Sequence, residues 1–269
     1  MAPGSEKNGI EVSSRQTFLD PWPAPDSLWS DPPWIMSGSS VTAWFETDAE
    51  AVRKLLSPSF LPLDGIDGVP TRLRFYDITF EPRDGSPEEK ARGAGTFREA
   101  VIAFKGSIAQ VDGEFSAWMW SNGDVYNAWG REVFGWPMVR AKIDIDGSLF
   151  DSGRSGQTTF SLVTDEFSLH LEVNDEPIEE LSPGPSPNWL TPRRVLFPGG
   201  QEAERRDLLI VRPAVLQPGV FSRHAGNLSQ EGGSDTWISS LMPIGEVVVH
   251  SSRDFLISVG DSVETVRGA

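Results

Sequence analysis

Residues 95–120, GTFREAVIAFKGSIAQVDGEFSAWMW, decide the fold class of this chain. Two apolar runs, rich in β-branched and aromatic residues, lie on either side of the pair Asp112-Gly113. An Asp-Gly pair between two such runs is typical of a β-hairpin turn. We therefore predict two long antiparallel strands, at residues 95–110 and 113–120.

Similar apolar segments lie on both sides of this hairpin, and further Asp-Gly pairs mark turns between several of them. Many short strands with few helices are typical of a β-barrel or a β-sandwich, so we expect a mainly β fold. The predicted strands cover residues 39–46, 71–80, 141–145, 158–162, 167–173, 208–220 and 246–250.

Two short helices are predicted among the strands. Asp48 is placed to cap a helix at residues 49–56, because its side chain can accept a hydrogen bond from the first turn. A second helix precedes Gly135, and either Asn122 or Asp124 can cap its start.

Residues 1–36 are rich in Pro, Ser and Asp, whereas residues 37–264 carry the strand pattern. Because proline lacks a backbone N–H, this composition disfavours both helix and central strand. We predict a Pro-rich N-terminal arm, which Trp22, Trp29 and Trp34 could pin to a single domain that follows. A mostly disordered tail is the alternative.

The charge of the chain limits its partners. There are 39 acidic and 23 basic residues among 269, which gives a formal net charge of -16. Such a chain repels nucleic-acid phosphates and anionic membrane surfaces. No apolar run approaches the roughly 18 residues of a membrane-spanning helix. We expect neither nucleic acid nor a membrane as a partner.

The residue types that hold cofactors are scarce. The chain has no cysteine and three histidines, and no two histidines stand at helical metal-ligand spacing. No phosphate-binding glycine loop or dinucleotide motif is present. We expect no metal and no cofactor. Residues 1–14 lack the apolar stretch of a signal peptide, so a cytoplasmic location is expected.

Residues 130–138, GREVFGWPM, resemble the G-R-E-hydrophobic-x-x-aromatic-P-K segment of acetoacetate decarboxylases. Phe97 and Glu99 are similar to an aromatic-x-Glu motif on an inner strand of that family, and residues 241–244 are similar to the segment before its last strands. The resemblance covers most of residues 38–262. It implies a closed or semi-closed antiparallel β-barrel or double sheet with short helices.

The same resemblance shows what this chain lacks. In the family, the residue after the proline is a lysine that forms a Schiff base with the substrate ketone, and a neighbouring lysine lowers its pKa. Met138 and Val139 stand at these positions. Gly38 and Tyr76 stand where the family has an arginine and a glutamate that contact the substrate. Schiff-base chemistry is therefore not expected.

A displaced lysine is the alternative. In a regular strand, Lys105 would share a face with Glu99, and Lys142 would share a face with Met138. Either amine could then support a β-keto acid decarboxylase or an aldolase-dehydratase. The other interpretation, which we favour, is that both lysines are solvated surface residues.

Glu99 is the candidate catalytic residue. Phe97 and Val101 flank it on the same predicted strand face, and apolar surroundings raise the pKa of a carboxyl, which suits a general acid or base. A structural ion pair with Arg98, Arg131 or Arg140 is the alternative. Arg131 and Glu132 are expected to support the site by orienting the helix before it.

An aromatic wall is the second feature of the predicted site. The chain has ten tryptophans and two tyrosines. Trp118, Trp120 and Tyr76 are predicted to share barrel faces with Glu99, and Trp136 and Met138 lie at the end of the family segment, beside the lysine position. Such a wall suits a hydrophobic small-molecule substrate, although ordinary core packing would also bury these side chains.

These features together predict a small-molecule enzyme of natural-product biosynthesis, acting on a polyketide or terpenoid intermediate. It would be a lyase or isomerase of the cyclase type that catalyses a cofactor-free cyclisation, including pericyclic ring closure, an isomerisation or an elimination. A non-catalytic binding protein for an apolar metabolite is a further alternative. Because the family commonly forms oligomers, a homo-oligomer is also expected.

Overall fold

The computed structural model describes residues 33–56, 60–63, 65, 67–84, 86–147, 149, 156–182, 187–195, 205–233 and 236–267. These residues form two β-sheets of 13 and four strands, joined by short helices. The predicted mainly β fold is confirmed.

Ten strands of the large sheet follow one another through hydrogen-bonded neighbours. Their spatial order is β10 (Glu179–Leu181), β14 (Val220–His224), β16 (Val248–Val259), β1 (Trp34–Thr47), β3 (Val69–Pro82), β4 (Gly95–Ile108), β5 (Val111–Ser121), β11 (Trp189–Val195), β12 (Arg205–Val211) and β17 (Val263–Arg267). Three more strands join this path at its sides: β2 (Phe60–Pro62) on β4, β6 (Met138–Arg140) on β5, and β13 (Ala214–Gln217) on β16.

The small sheet packs against one face of the large sheet. Its order is β15 (Gly226–Glu231), β9 (Ser168–Asn174), β8 (Gln157–Val163) and β7 (Lys142–Asp146). The helices are α1 (Ala49–Leu55), α2 (Pro87–Gly93) and α3 (Asp124–Trp129). A π-helical turn (Gly130–Phe134) continues α3, and a 3₁₀ helix (Trp237–Leu241) precedes β16.

The large sheet does not close on itself within the described residues, because its terminal strands β10 and β17 do not pair with each other. The closed barrel is therefore the wrong form of the predicted fold, and the double sheet is the correct one. The large sheet also branches. β5 pairs in parallel with β11 near Glu114 and with β6 near Met119, so the sheet divides at this strand.

The predicted hairpin exists, but its turn lies before the Asp-Gly pair. Ile108 pairs with Val111, and the residues between them both have positive φ, 49° and 65°. Gly113 instead lies inside β5, where the Asn188 carbonyl passes 2.6 Å from the position of a Cβ atom. The Glu114 amide donates to that carbonyl at 2.8 Å. Because Gly113 has no side chain, the segment that contains Asn188 can approach β5 closely; the glycine takes no part in the turn.

One of the two predicted helix caps is confirmed. Asp48 Oδ1 accepts from the Ala51 amide at 2.8 Å. The cap predicted for the second helix is wrong, because Gly123 takes that position without a side-chain hydrogen bond. Asn122 Oδ1 instead accepts from the Arg98 amide at 2.8 Å. Because the Asn122 side chain bonds to β4, it does not cap the helix.

Other boundaries also differ from the predictions. The single strand predicted at residues 208–220 is divided among β12, β13 and β14, because Pro213 and Pro218 interrupt it. Residues 87–93, for which no helix is predicted, form α2. β1 begins at Trp34, inside the predicted arm, and the Trp34 side chain is 1% exposed. Residues 1–32, which include the rest of the arm, lie outside the described residues.

Successive side chains of β4 point to opposite faces of the large sheet and pack into two different apolar cores. Ala100, Ile102 and Phe104 face the core between the two sheets, where Phe75 and Phe160 approach each other at 5.6 Å between ring centroids. Burying a side chain of this size stabilises the fold by roughly 1.5–3 kcal/mol.

Residues of the opposite parity on β4, including Phe97 and Val101, face a second core. Trp34 of β1 and Phe134 of the π-helical turn belong to this core, so the α3 region covers that face of the large sheet. Among the described residues, no helix combines the length and the apolar character that crossing a membrane requires.

Candidate active site

A small cavity lies in the second core, on the face of the large sheet that α3 covers. A carboxyl and a guanidinium side chain border it, together with hydroxyl and apolar groups. The lining residues are Met36, Arg72, Tyr76, Glu99, Val101, Ser116, Met119, Tyr126, Trp136, Trp189, Phe255 and Ile257. The centre of a water-sized sphere can occupy about 30 Å³ of it, which is room for one or two water molecules.

Glu99 is buried in the wall of this cavity, with 2% of its surface exposed. Its Oε2 accepts a hydrogen bond from the Tyr126 hydroxyl at 3.3 Å, whereas Oε1 has no partner among the described residues. Burial raises the pKa of Glu99 to about 8, although the Tyr126 hydrogen bond and the charge of Arg74 oppose this shift. Glu99 is therefore mainly a neutral carboxylic acid at pH 7.

Tyr126 reaches Glu99 from α3. Its ring stacks on Phe97 at 3.6 Å between centroids and contacts Phe80 edge-on at 5.8 Å. Burial, followed by the proximity of Glu99, raises the pKa of Tyr126 well above its ordinary value, so the hydroxyl stays protonated and can donate. Tyr126 is absent from the site predicted from the sequence. Its available signal was its position four residues before Gly130, on the helix that leads into the family segment.

Tyr76 lies directly across the strands from Glu99. Its hydroxyl oxygen accepts from Arg74 Nη1 at 2.8 Å, while Arg74 Nε donates to the Thr42 hydroxyl at 2.7 Å. Because the Tyr76 oxygen already accepts, its own hydrogen is available for donation. The predicted placement of Tyr76 beside Glu99 agrees with this geometry.

Arg72 and Glu114 form a buried ion pair, with 4% and 3% of their side-chain surfaces exposed. Burial is the main cause that lowers the pKa of Arg72 to about 10, and Arg74 adds to it, whereas Glu114 opposes it. The guanidinium carbon also lies 5.8 Å from the centre of the Trp44 ring. Two contacts therefore fix the position of this arginine in the cavity wall.

The predicted face of Trp118 and Trp120 is wrong. They pair across the strands with Ile102 and Ala100, so both side chains enter the core between the sheets, opposite Glu99. The pairing of β4 with β5 shifts by one residue between Ile102 and Ala103. Residues of β5 nearer the hairpin turn therefore alternate between the two faces of the sheet in the opposite sense. Trp118 stacks on Trp237 there, at 4.2 Å between centroids.

Trp136 lines the cavity as predicted, whereas Met138 does not. Trp136 stacks on Phe134 at 4.5 Å and meets Trp189 edge-on at 6.0 Å. Met138 belongs to the same core but is not among the residues that line the cavity; it is 2% exposed and packs against Gly130. Space at the family's lysine position is therefore filled by core packing.

Neither candidate lysine lines the cavity. Lys105 is exposed, and its Nζ lies 4.6 Å above the Trp44 ring. Lys142 is in the small sheet, so the predicted shared face with Met138 is wrong, and it pairs with Asp144 at 2.7 Å. The described residues thus offer no amine within reach of Glu99.

Arg98 and Arg140 pair with other acids, Asp77 at 3.7 Å and Asp124 at 3.2 Å. The predicted structural ion pair of Glu99 with either of them is therefore wrong. Arg131 is exposed on the π-helical turn. The side chain of Glu132, the other residue predicted to support the site, lies outside the described residues.

Gly38, which the resemblance places at the family's arginine position, has no room for a side chain. Its φ is 150°, and a Cβ atom there would collide with the backbone of Asp77. A side chain at this position would push β1 away from β3.

Among the described residues, no group of three or more His, Asp or Glu is arranged to hold a metal ion.

Known structures share this architecture. The enduracididine biosynthesis enzyme MppR complexed with pyruvate has a TM-score of 0.67 at 19% identity, over 91% of this chain and 92% of that one. An acetoacetate decarboxylase-like enzyme from Sphingomonas wittichii RW1 has a TM-score of 0.68 at 14% identity, over 94% and 98%. Acetoacetate decarboxylase from Legionella pneumophila has a TM-score of 0.67 at 15% identity, over 91% and 92%.

Sequence comparison gives the family itself. No curated protein sequence matches the chain at a significant level. The profile of the family described as acetoacetate decarboxylase, however, matches residues 20–187, which is more than half of the chain. Since the structural neighbours share the fold at low identity and the profile shares the sequence pattern, this chain belongs to the acetoacetate decarboxylase family.

Proposed function

We propose that this protein is a small-molecule enzyme that transfers a proton through Glu99 and forms no Schiff base. The reaction would be an isomerisation, elimination or cyclisation of a mainly apolar carbonyl compound. One observation carries the proposal: a carboxyl with a pKa of about 8 lines an apolar cavity, and its Oε1 has no partner among the described residues.

The geometry supports Glu99 as an acid that faces the substrate. Since Tyr126 donates to Oε2, the proton of the neutral carboxyl belongs on Oε1. A substrate carbonyl oxygen could accept that proton as negative charge develops on it. The Tyr76 hydroxyl could donate a second hydrogen bond to the same oxygen, which would stabilise an enolate or enol.

The return of the proton completes such a reaction. Once Glu99 has donated, its carboxylate can remove a proton from carbon or from the enol hydroxyl, so the acid is regenerated. Arg74 and Tyr126 lower the energy of this transient carboxylate. The apolar walls, including Met119 and Trp136, limit the entry of water.

The position of the lysines argues against the family's Schiff-base route in this chain. Lys105 and Lys142, the two lysines considered for that route, lie outside the cavity lining. We therefore do not favour a decarboxylase that uses a displaced lysine. The neighbour MppR belongs to enduracididine biosynthesis, which supports a natural-product pathway as the setting for this enzyme as well.

A β,γ-unsaturated ketone tests the proposal without knowledge of the natural substrate. Pent-4-en-2-one rearranges to its conjugated isomer by one proton removal and one proton return, and the product absorbs in the ultraviolet. We expect the wild-type protein to accelerate this conversion. Glu99→Gln should lower the rate by about a hundredfold or more, the usual contribution of a general acid-base group.

Lys105→Gln is the matched control, because it removes an amine that lies outside the cavity. Its rate should equal that of the wild type. Equal rates for wild type and Glu99→Gln, or no acceleration by the wild type, would contradict the proposal. Borohydride treatment with butan-2-one should leave the protein mass unchanged, and a reduced adduct on lysine would favour the Schiff-base route instead.

A further inference from the structure

Phe255 borders the cavity from β16, the strand beside β1. It belongs to the cavity lining, and 8% of its surface is exposed. On β1 it pairs with Gly38, and Tyr76 lies on β3, the next strand of the sheet. Because Gly38 has no side chain, the rings of Phe255 and Tyr76 meet over β1, with 6.2 Å between centroids and 74° between ring planes. Phe255 therefore packs against the tyrosine that is proposed to contact the substrate carbonyl.

A β-bulge in β16 gives Phe255 this orientation. Ser252 of β16 pairs with Ser40 of β1. The next residue that pairs with β1 is Phe255, whose partner is Gly38, so three steps along β16 correspond to two along β1. In a regular strand, residues three apart point to opposite faces of the sheet. The extra residue in β16 instead lets Ser252 and Phe255 both point to the face that carries Glu99.

The bulge has an unfavourable backbone conformation and is supported by the segment between β13 and β14. Asp254 has a φ of 56°, in the left-handed region that residues other than glycine adopt uncommonly. Gln217 Nε2 donates to the Asp254 carbonyl at 2.6 Å. Gly219, with a φ of 77°, lies against the Arg253 carbonyl, where a Cβ atom would collide with it. Bulges and strained residues are frequent beside active sites, where they direct a side chain, so this geometry indicates a functional role for Phe255.

Packing distinguishes Phe255 from the other apolar residues of the lining. Among the described residues that line the cavity, all the other apolar side chains belong to the second core or pack against it. Phe255 instead adds a ring to the cavity wall beside Tyr76. Because the cavity has room for only one or two water molecules, a bulky substrate group beside Tyr76 would need the space that this ring fills.

We propose that Phe255 is a specificity-determining residue, whose ring excludes a bulky group, such as an aromatic ring, from the space beside Tyr76. The bulge and its support by Gln217 hold the ring in that position. The substrates of this chain are accordingly compact carbonyl compounds. Placing the substrate carbonyl at Glu99 and Tyr76 rests on the proposed function, whereas the size limit concerns binding alone.

Acetophenone tests the size limit without any need for turnover. Phe255→Ala leaves an apolar gap of the size of an aromatic ring, and such gaps bind aromatic molecules. Calorimetric titration should give a dissociation constant for acetophenone that is about tenfold or more lower for Phe255→Ala than for the wild type, since a pocket discriminates this strongly even for one methylene group. Equal affinities of the two proteins would overturn the proposal.

Phe221→Ala is the matched control. Phe221 lies on β14 and pairs with Ser252, so it is on the same face of the sheet, but it does not line the cavity. Its replacement should leave the affinity for acetophenone unchanged, and a gain as large as that of Phe255→Ala would also overturn the proposal. Where Phe255→Ala does not fold, as judged by circular dichroism, Phe255→Leu should show a smaller gain in the same direction, and no gain would count against the size limit.

Gln217→Ala tests the role of the bulge without changing a residue of the cavity lining. It removes the hydrogen bond to the Asp254 carbonyl, so the Phe255 ring is held less firmly. The affinity for acetophenone should therefore rise above that of the wild type, although by less than in Phe255→Ala. An affinity equal to that of the wild type would overturn the assignment of this support to Gln217.

One further ketone separates the size limit from the proposed function. In 1-phenylbut-3-en-1-one, a phenyl group replaces the methyl group of pent-4-en-2-one, and both ketones isomerise by one proton removal and one proton return. Phe255→Ala should raise kcat/KM for the phenyl ketone, relative to that for pent-4-en-2-one, by about tenfold or more. Tighter binding of acetophenone without isomerisation of either ketone would contradict the proposed function only. Isomerisation by the wild type, with unchanged acetophenone binding in Phe255→Ala, would contradict the size limit only.

Discussion

Replacing Glu99 by glutamine should make the stability of the protein less dependent on pH. The pKa of Glu99 is about 8 in the folded protein and about 4.5 in an exposed carboxyl. Between these values the folded state holds a proton that the unfolded state has lost. The free energy of unfolding of the wild type therefore falls as pH rises from 4.5 to 8, and then levels off.

The size of this effect follows from the interval. From pH 4.5 to pH 7, at about 1.4 kcal/mol per pH unit, the loss is about 3 kcal/mol. Glu99 is 2% exposed, so solvent does not screen it strongly. Glutamine has nearly the same shape, can accept the Tyr126 hydrogen bond and does not titrate. The free energy of unfolding of Glu99→Gln, measured relative to that of the wild type, should thus rise by about 3 kcal/mol from pH 4.5 to pH 7.

Urea denaturation of both proteins at pH 4.5, 6, 7 and 9 measures this difference. Titration of all other groups is common to the two proteins and cancels when their free energies are subtracted. Glu172→Gln, at an exposed position in β9, is a control that should show no such trend. A difference between Glu99→Gln and wild type that does not change with pH would show that the pKa of Glu99 is not raised in the folded protein.

Three further predictions concern the surroundings of the site. Tyr126→Phe removes the hydrogen bond that favours ionised Glu99, so the pKa of Glu99 should rise further above 8 in a carbon-13 NMR titration. Gly38→Ala should lower the free energy of unfolding by about 1 kcal/mol or more, because Gly38 has positive φ and no space for a Cβ atom, whereas Gly95→Ala, in open space, should change it little. Trp118→Ala should lower the unfolding free energy by roughly 2 kcal/mol but leave the rate of pent-4-en-2-one isomerisation unchanged, since Trp118 faces the other core.

Local patterns in the sequence predicted much of the fold. Alternation of apolar residues identified β3, β4, β5, β8 and β9 with boundaries close to those observed. Strand order was not available from such patterns, because pairing between β1 and β16, for example, joins segments about 200 residues apart. The branching at β5 depends on the same kind of distant contact.

Candidate site residues illustrate why single-strand alternation is limited. Glu99 and Tyr76 were placed together correctly, because β3 and β4 pair without a register shift. The shift after Ile102 reversed the face of Trp118, and nothing in the sequence marks it. Tyr126 was missed because its contact with Glu99 depends on how α3 packs across the sheet.

The neutral state of Glu99 at pH 7, in an apolar cavity, is central to the proposed chemistry. Infrared difference spectra of the wild type and Glu99→Gln, recorded from pH 5 to pH 10, test it directly. We predict a carbonyl band of a protonated carboxyl at pH 7 that is absent from the variant and disappears with a midpoint near pH 8. A carboxylate band already complete at pH 7, with a midpoint near 4.5, would contradict the account.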